Sequence, residues 1–386
     1  RSGAAGRDGA ALAERFERIG ASVEAYADWD VSAVTLTALS AQLPEALALV
    51  RDLVRAPEFP EREVARIREE RLVELLQLRA EPRGLADEQF ARAVYASSAR
   101  YALPVEGDTA SVGALTQEDV RAFYQARYRP GGTTLVFAGD VTMPEATALV
   151  ESLFGDWSGE RPAAVQAGTD AARPGRLLRV VAKADAPQSE IRVGHAGLCR
   201  GSDDYFDVVV MNAVLGGLFS SRINLNLREV HGYTYGAFSS FEWRRAAGPF
   251  VVHTAVKSDA TGASVQEILN EIDRMRSAQI GEDELTLATS YLDGVFPIRY
   301  ETTAAIAMAL GTLVIHDLPD DYYDRYRSRV RDVTTVSVLA AARAHLHPDQ
   351  LRVVVVGDST IIAEQVATAM GMAAEVMTPE AEDQAV

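Results

Sequence analysis

The stretch 333–358, VTTVSVLAAARAHLHPDQLRVVVVGD, repeats the stretch 115–140, LTQEDVRAFYQARYRPGGTTLVFAGD, at an offset of 218 residues. Eight aligned pairs carry the comparison, of which seven are identical and one is conservative. The pairs are Leu115/Val333, Thr116/Thr334, Val120/Val338, Ala126/Ala344, Pro130/Pro348, Val136/Val354, Gly139/Gly357 and Asp140/Asp358. Each copy predicts a helix that begins near its threonine, a turn marked by proline and a buried strand ending in Gly-Asp. The repeat therefore predicts two similar α+β domains.

The domain boundaries follow from composition and length. Residues 158–176 contain five Gly or Pro residues and little periodicity, which is typical of a linker. A length of 386 residues suits two or three domains at about 150 residues each. We expect domains over 1–157 and 177–386, each a mainly antiparallel sheet with helices packed on one face, together forming half of a clamshell.

Local patterns place the elements of the first domain. Apolar residues at helical spacing over 10–19 precede an alternating strand pattern over 21–36. Pro60 begins a long helical pattern to Leu78, and the continuous apolar run 133–138 predicts a buried strand.

Charge and cysteine content exclude several classes of protein. The net charge of −17 disfavours nucleic-acid binding, because an acidic surface repels phosphate. The single cysteine, Cys199, excludes an intrachain disulfide and a cysteine-built zinc site. No uninterrupted run of about 18 apolar residues is present, so we expect no membrane span. We place the protein in the cytoplasm, with periplasmic or secreted locations as alternatives.

The strongest local signal lies in 215–241. Gly216 and Gly217 lead into a helical pattern that ends near Arg228, and Gly232 predicts the stop of that helix. Alternation from Tyr233 predicts a strand with Tyr233, Tyr235 and Ala237 on one face.

Arg228 and Tyr235 are candidate substrate-binding groups. A guanidinium at a helix end and a phenol on the following strand offer two donors to one carbonyl or carboxylate oxygen. The same residues also suit an ordinary structural role, with the arginine solvated near the helix end and the tyrosine packed by its ring.

The chain resembles the pitrilysin family of inverted-motif zinc peptidases, which includes mitochondrial processing peptidase and insulin-degrading enzyme. The resemblance rests on three stretches, 215–222 (LGGLFSSR), 227–235 (LREVHGYTY) and 296–303 (FPIRYETT), and on the two Gly-Asp strand ends. It implies that Arg228 and Tyr235, seven positions apart, bind substrate backbone beside the zinc. It also implies that Gly216, Gly217 and Phe219 belong to a substrate-handling loop.

The chain departs from the family in its metal-binding residues. The family's H-x-x-E-H motif supplies two histidine ligands and a glutamate base, and it does not occur in this sequence. Of the six histidines, His345 and His347 are weak metal candidates before Pro348, and His195 suits packing in a strand. Glu74 falls at the position of the family's third zinc ligand, whereas Ile67 replaces a second acidic position. Glu74 equally suits a solvated helix face.

The resemblance supports a leading hypothesis and three alternatives. We expect a metal-free subunit of a heterodimeric zinc peptidase, like the metal-free partners of bacterial two-subunit members, with zinc held by a homologous partner and a peptide as substrate. A complete zinc peptidase with its H-x-x-E-H motif upstream of Arg1 is the first alternative. A structural protein like the respiratory core subunits and a peptide-binding module without turnover are the others.

Overall fold

The computed structural model describes residues 3–165, 167–168 and 174–379. Within them the helices are α1 (Gly9–Arg18), α2 (Leu43–Arg55), α3 (Glu61–Ala80), α4 (Pro82–Val94), α5 (Thr109–Ala114), α6 (Gln117–Arg127), α7 (Met143–Phe154), α8 (Tyr205–Asn212), α9 (Arg222–Asn224), α10 (Thr261–Ser277), α11 (Glu282–Arg299), α12 (Thr303–Ile315), α13 (Tyr322–Arg331), α14 (Thr335–His345) and α15 (Ser359–Met370). The strands are β1 (Gly3–Ala4), β2 (Arg7–Asp8), β3 (Ser22–Ala27), β4 (Ser32–Thr37), β5 (Leu177–Ala182), β6 (Gln188–Ala196), β7 (Ala237–Phe241), β8 (Pro249–Lys257), β9 (Arg352–Gly357) and β10 (Glu375–Met377).

The described chain divides into two compact units. The first contains residues 3–75, 105–165 and 299–315, and the second contains 76–104, 167–168, 174–298 and 316–379. The domain boundaries at 157 and 177, which follow from composition and length, stay a prediction. Residues 166 and 169–173 of the expected linker lie outside the described residues.

The first unit packs helices against a short hairpin. Its core contains Phe16 of α1, Val23 of β3 and Leu47 of α2, each at most 4% exposed. The single strand predicted over 21–36 is in fact two antiparallel strands, β3 and β4. The chain reverses at Asp28, whose Oδ1 accepts hydrogen bonds from the backbone N–H groups of Asp30 and Val31.

The second unit is built on a six-stranded sheet in the order β10-β5-β9-β6-β8-β7. Three of its five strand pairings are antiparallel, and β5 runs parallel to both β9 and β10. The central strand β9 is buried along its whole length, with Val353–Val356 fully inaccessible to solvent. Helix α4 packs against β6 and β9, and α10 and α15 pack against each other over the same sheet. The predicted α+β class is confirmed.

The two copies of the repeat begin alike. Thr116 caps α6 in a capping box with Asp119, and Thr334 caps α14 in a capping box with Ser337. Both helices have 11 residues, and each is followed by a 3₁₀ turn, at Pro130–Gly132 and at Pro348–Gln350. The offset of 218 residues holds at every one of these boundaries, so the predicted helix and turn are confirmed in both copies.

The copies differ at the strand. Residues 352–357 form β9, paired with β5 and β6, whereas 133–138 form no strand. No described strand of the first unit pairs with 133–138, and Leu135 is 40% exposed. The predicted strand is wrong here because an extended segment needs a neighbour to bond its backbone groups.

Among the described residues, one helical stretch, Tyr205–Val230, is long and apolar enough to cross a membrane, and its 18-residue apolar window has a mean hydropathy of 1.4. Its apolar window is 61% buried inside the protein, as in the core helix of a folded domain. Helices α11 and α12 pass the same test only together, with a bend of 114° between them.

Candidate functional site

The segment with the predicted site residues is a broken helix that leads into strand β7. Helix α8 continues into a π-helical turn, Ala213–Gly217, and α9 continues into a second one, Leu225–Val230, which carries Arg228. Gly232 then has φ of +64°, and its N–H donates to the Arg228 carbonyl at 3.2 Å. The predicted helix stop at Gly232 is therefore confirmed.

Arg228 and Phe219, both predicted site residues, lie together. The guanidinium carbon of Arg228 lies 4.5 Å from the centre of the Phe219 ring, within cation–π range. Arg228 Nε also lies 3.5 Å from Glu229 Oε1, in an ion pair that is exposed to water. The Arg228 side chain is 34% exposed and Phe219 is 62% exposed, so the pair forms an accessible surface.

Tyr235 is the most exposed large side chain of the segment, at 92%. Tyr235 makes no hydrogen bond or ring contact with another described residue. The structure therefore shows no direct contact between Tyr235 and Arg228, which the sequence predicted to converge. The predicted strand from Tyr233 is also wrong, since β7 begins only at Ala237.

Thr234 explains the displaced start of the strand. Its hydroxyl donates to the Ala255 carbonyl at 2.7 Å and accepts from the Gly236 N–H at 3.0 Å. Thr254 of β8 also donates to it, at 3.0 Å. These bonds hold 234–236 in a bend, and the Tyr235 side chain is left in solvent.

Close packing, rather than a need for backbone flexibility, explains why Gly216 and Gly217 are glycines. A Cβ on Gly216 would lie 2.3 Å from Ser239 Oγ and 2.6 Å from Ser239 N of β7. A Cβ on Gly217 would lie 2.9 Å from Asn212 Nδ2. Asn212 and Ser239 are themselves bonded, because Ser239 Oγ donates to Asn212 Oδ1 at 2.7 Å and Asn212 Nδ2 donates to the Ser239 carbonyl at 3.0 Å.

Asn224 is a structural link that the sequence reasoning missed. It is 1% exposed, its Nδ2 donates to the Phe219 carbonyl at 2.6 Å, and its Oδ1 accepts from the Ala237 N–H at 3.0 Å. One side chain thus holds both the loop of Phe219 and the chain just after Tyr235. The available signal was a polar residue between the apolar Ile223 and Leu225 of a helical run.

Helix α9 and the second π-helical turn are anchored to neighbouring helices by hydrogen bonds to carboxylates. Asn226 Nδ2 donates to Glu271 of α10 at 2.8 Å, and Arg222 donates twice to Glu284 of α11 at 2.7 Å. The Arg222 hydrogen bonds lower the pKa of Glu284, which keeps this bidentate pair charged. The backbone that leads to Arg228 is therefore held by hydrogen bonds to both α10 and α11.

Glu74 is an exposed residue of α3. Its side chain is 60% exposed, and Oε2 lies 3.0 Å from Arg71 Nη1 in an ion pair. Among the described residues, no three His, Cys, Asp or Glu side chains come together where they could hold a metal ion. The donors in the described part of the chain do not fit the zinc site that the family resemblance implies.

Three histidines of the second unit, His195, His345 and His347, contact other groups of the protein. His195 is 2% exposed in β6, as expected for packing, and the His347 N–H donates to its Nε2 at 3.1 Å. Nε2 is therefore the acceptor, and Nδ1 carries the proton that it shares with the Ala196 carbonyl at 2.9 Å. His345 Nε2 lies 2.7 Å from Asp204 Oδ2.

Burial lowers the pKa of His195 to about 4. In the unfolded chain this histidine has a pKa of about 6.5, so it binds a proton at a higher pH there than in the folded chain. Its contribution to stability is therefore complete above pH 6.5 and is lost as the pH falls toward 4. We expect this group to lower the free energy of unfolding by about 2 kcal/mol between pH 8 and pH 5. Urea unfolding at the two pH values, for wild type and His195→Gln, measures it. His253, whose pKa burial also lowers, is present in both proteins and so cannot cause a difference between them. An equal pH dependence in wild type and His195→Gln would therefore contradict the assignment to His195.

Comparison with known proteins gives the family. Residues 2–107 match the family model described as insulinase (peptidase family M16), and residues 114–292 match the model described as peptidase M16 inactive domain. The two matches together cover more than half of the chain. The protein therefore belongs to peptidase family M16, and the predicted family is confirmed.

Two curated relatives are named as uncharacterized zinc proteases. The protein from Streptomyces coelicolor is 24% identical over 86% of this chain and 73% of its own length. A Mycobacterium tuberculosis protein is also 24% identical, over 86% of this chain and 76% of its own length.

Solved structures agree with the fold. The peptidase M16 inactive domain from Pseudomonas fluorescens aligns with a TM-score of 0.83 at 25% identity, covering 92% of this chain and 86% of that one. A protease from Helicobacter pylori aligns with a TM-score of 0.86 at 16% identity, over 92% of this chain and 86% of that one. The second comparison supports the fold alone.

Proposed function

We propose that this chain is the metal-free subunit of a heterodimeric zinc peptidase, in which a homologous partner holds the zinc. The observation that carries the proposal is the exposed Arg228–Phe219 pair, fixed next to the bend of Tyr235 by Asn224. The match to an M16 inactive domain and the lack of a metal-binding group in the described chain support it.

Arg228 and Tyr235 supply hydrogen-bond donors for a peptide. The Arg228 guanidinium lies over the Phe219 ring and carries several N–H donors, while the Tyr235 hydroxyl lies in solvent without a partner among the described residues. In the assembled enzyme these donors bind the carbonyl groups of the substrate and stabilise the negative charge that develops on the oxygen of the cleaved bond. The zinc of the partner supplies the activation of water.

Phe219 has two roles in this proposal. Its ring supports the Arg228 guanidinium, and its remaining exposed surface offers an apolar contact to a substrate side chain. Gly216 and Gly217 act through the backbone, since their lack of a side chain lets the loop pack against Ser239 and Asn212.

The purified 386-residue chain is expected to bind no stoichiometric zinc and to cleave no peptide alone. It should become part of an active peptidase when combined with a zinc-bearing M16 subunit. Elemental analysis and a peptide cleavage assay, each on the chain alone and on the pair, test this.

The control variant is Glu74→Gln, which removes the candidate ligand that the family resemblance implies. If the wild-type chain bound one zinc tightly, lost it in Glu74→Gln, and cleaved peptide in a chelator-sensitive way, the metal-free assignment would be wrong. If the pair formed but showed no turnover, a scaffold role like that of the respiratory core subunits would replace the proposal.

A further inference from the structure

A buried arginine outside the candidate site, Arg200, stands out. Arg200 lies in the loop between β6 and α8 and is only 6% exposed. Its guanidinium carbon lies 3.7 Å from the ring centre of Tyr205 and 4.7 Å from that of Tyr322. Nη2 donates to the Tyr322 hydroxyl at 2.7 Å, so both rings hold the guanidinium in one position.

Arg200 lacks the negative partner that a buried guanidinium ordinarily has. Arg192, which is 2% exposed, pairs with Asp87 at 2.6 Å and with Glu190 at 2.9 Å. No described carboxylate pairs with Arg200, and its Nη1 is buried without a hydrogen-bond acceptor. A charge buried without a counter-ion is costly, so this position favours an anion from outside the chain.

Arg200 forms part of the wall of a cleft of about 160 Å³. Two further arginines of α13, Arg325 and Arg329, line the same cleft, and Arg329 lies 5.0 Å from the ring centre of Phe206. Of the two aspartates in the lining, Asp321 is paired with Arg325 and Asp203 is exposed. Three arginines against two aspartates leave a positive surplus in a protein whose net charge is −17.

We propose that this cleft, the Arg200 cleft, binds a small oxyanion, a carboxylate or a phosphate group. A guanidinium matches both groups geometrically, because its N–H donors fit two oxygens at once. The volume is well below the roughly 300–1,000 Å³ of sites for drug-sized ligands, which limits the occupant to a free ion or the end of a chain. The anion would supply the negative charge that Arg200 lacks among the described residues.

Calorimetric titration of the whole chain with inorganic phosphate and, separately, with acetate tests the proposal, at constant pH and ionic strength with chloride as the balancing anion. We expect one saturable site for at least one of the two probes. An N-acetylated dipeptide with a free carboxylate, compared with its C-terminal amide, then distinguishes a chain end from a free ion.

Variants locate the site. Arg325→Gln combined with Arg329→Gln changes exposed residues of the wall and is expected to weaken binding by about tenfold or more. Arg200→Met should abolish binding, and if that variant does not fold, the double variant alone decides. Arg327→Gln is the matched control, since Arg327 lies on the same helix, pairs with Asp293 and does not line the cleft.

Two outcomes would overturn the proposal. One is the absence of saturable binding for every probe. The other is binding that stays as tight in the double variant as in Arg327→Gln, which would place the anion elsewhere on the chain.

Discussion

Replacing Arg228 by alanine, or Tyr235 by phenylalanine, is expected to lower kcat/KM of the assembled peptidase by about 100- to 1,000-fold. This loss corresponds to about 2.7–4 kcal/mol, the typical effect of removing one donor that stabilises a developing oxyanion. The expectation follows from the exposed position of both groups, since Tyr235 is 92% exposed and Arg228 rests on an exposed ring. Neither side chain has a protein contact whose loss would account for so large an effect.

The variants separate catalysis from stability. Arg228→Lys keeps the positive charge but loses the guanidinium over Phe219 and its two-pronged donor geometry, so we expect it to recover only a small part of the activity. Kinetics of the reconstituted complex provide the readout, with circular dichroism and gel filtration to establish folding and assembly.

Matched controls are available in the same unit. Arg327→Ala removes an exposed arginine paired with Asp293, and Tyr291→Phe removes a hydroxyl from a half-exposed tyrosine of α11. Both should leave kcat/KM within about twofold of wild type. If the Arg228 and Tyr235 variants behaved like these controls, the two residues would be structural and the chain better described as a scaffold.

The sequence predicted those features whose cause is local. Capping boxes at Thr116 and Thr334 and the left-handed glycine at Gly232 each depend on residues within one or two turns. The α+β class followed from the repeat of 115–140 at 333–358, and the family followed from three short stretches and the two Gly-Asp strand ends. These features could be read without any knowledge of which strands become neighbours.

Features that depend on distant contacts could not be predicted in this way. Residues 133–138 have the composition of a strand, but pairing depends on a neighbour supplied from elsewhere in the chain. The bend at Tyr235 is set by Thr254 and Ala255, about 20 residues later. Asn224 was missed for the same reason, since its two partners are separated in sequence and meet only in the fold.

Gly216→Ala is expected to destabilise the second unit by about 1–3 kcal/mol, the usual range for overpacking a buried site. The added Cβ would lie 2.3 Å from Ser239 Oγ and 2.6 Å from Ser239 N, both far inside contact distance. The hydroxyl cannot simply turn away, because it donates to Asn212 Oδ1, and the nitrogen belongs to the backbone of β7. Gly216→Val should cost more, because its two extra methyl groups enter the same buried space.

Gly294→Ala is the matched control for this glycine. No atom lies within 4 Å of a Cβ placed on Gly294 in α11, and alanine favours a helix by up to about 1 kcal/mol, so this variant should be neutral or stabilising. Combining Gly216→Ala with Ser239→Gly removes the nearest atom and should recover part of the loss, while the clash with the backbone nitrogen remains. Calorimetric unfolding of the chain measures all four variants. If Gly216→Ala had unchanged stability but the complex lost peptidase activity, the packing against β7 would tolerate the methyl group. Gly216 would then be assigned a direct contact with substrate instead.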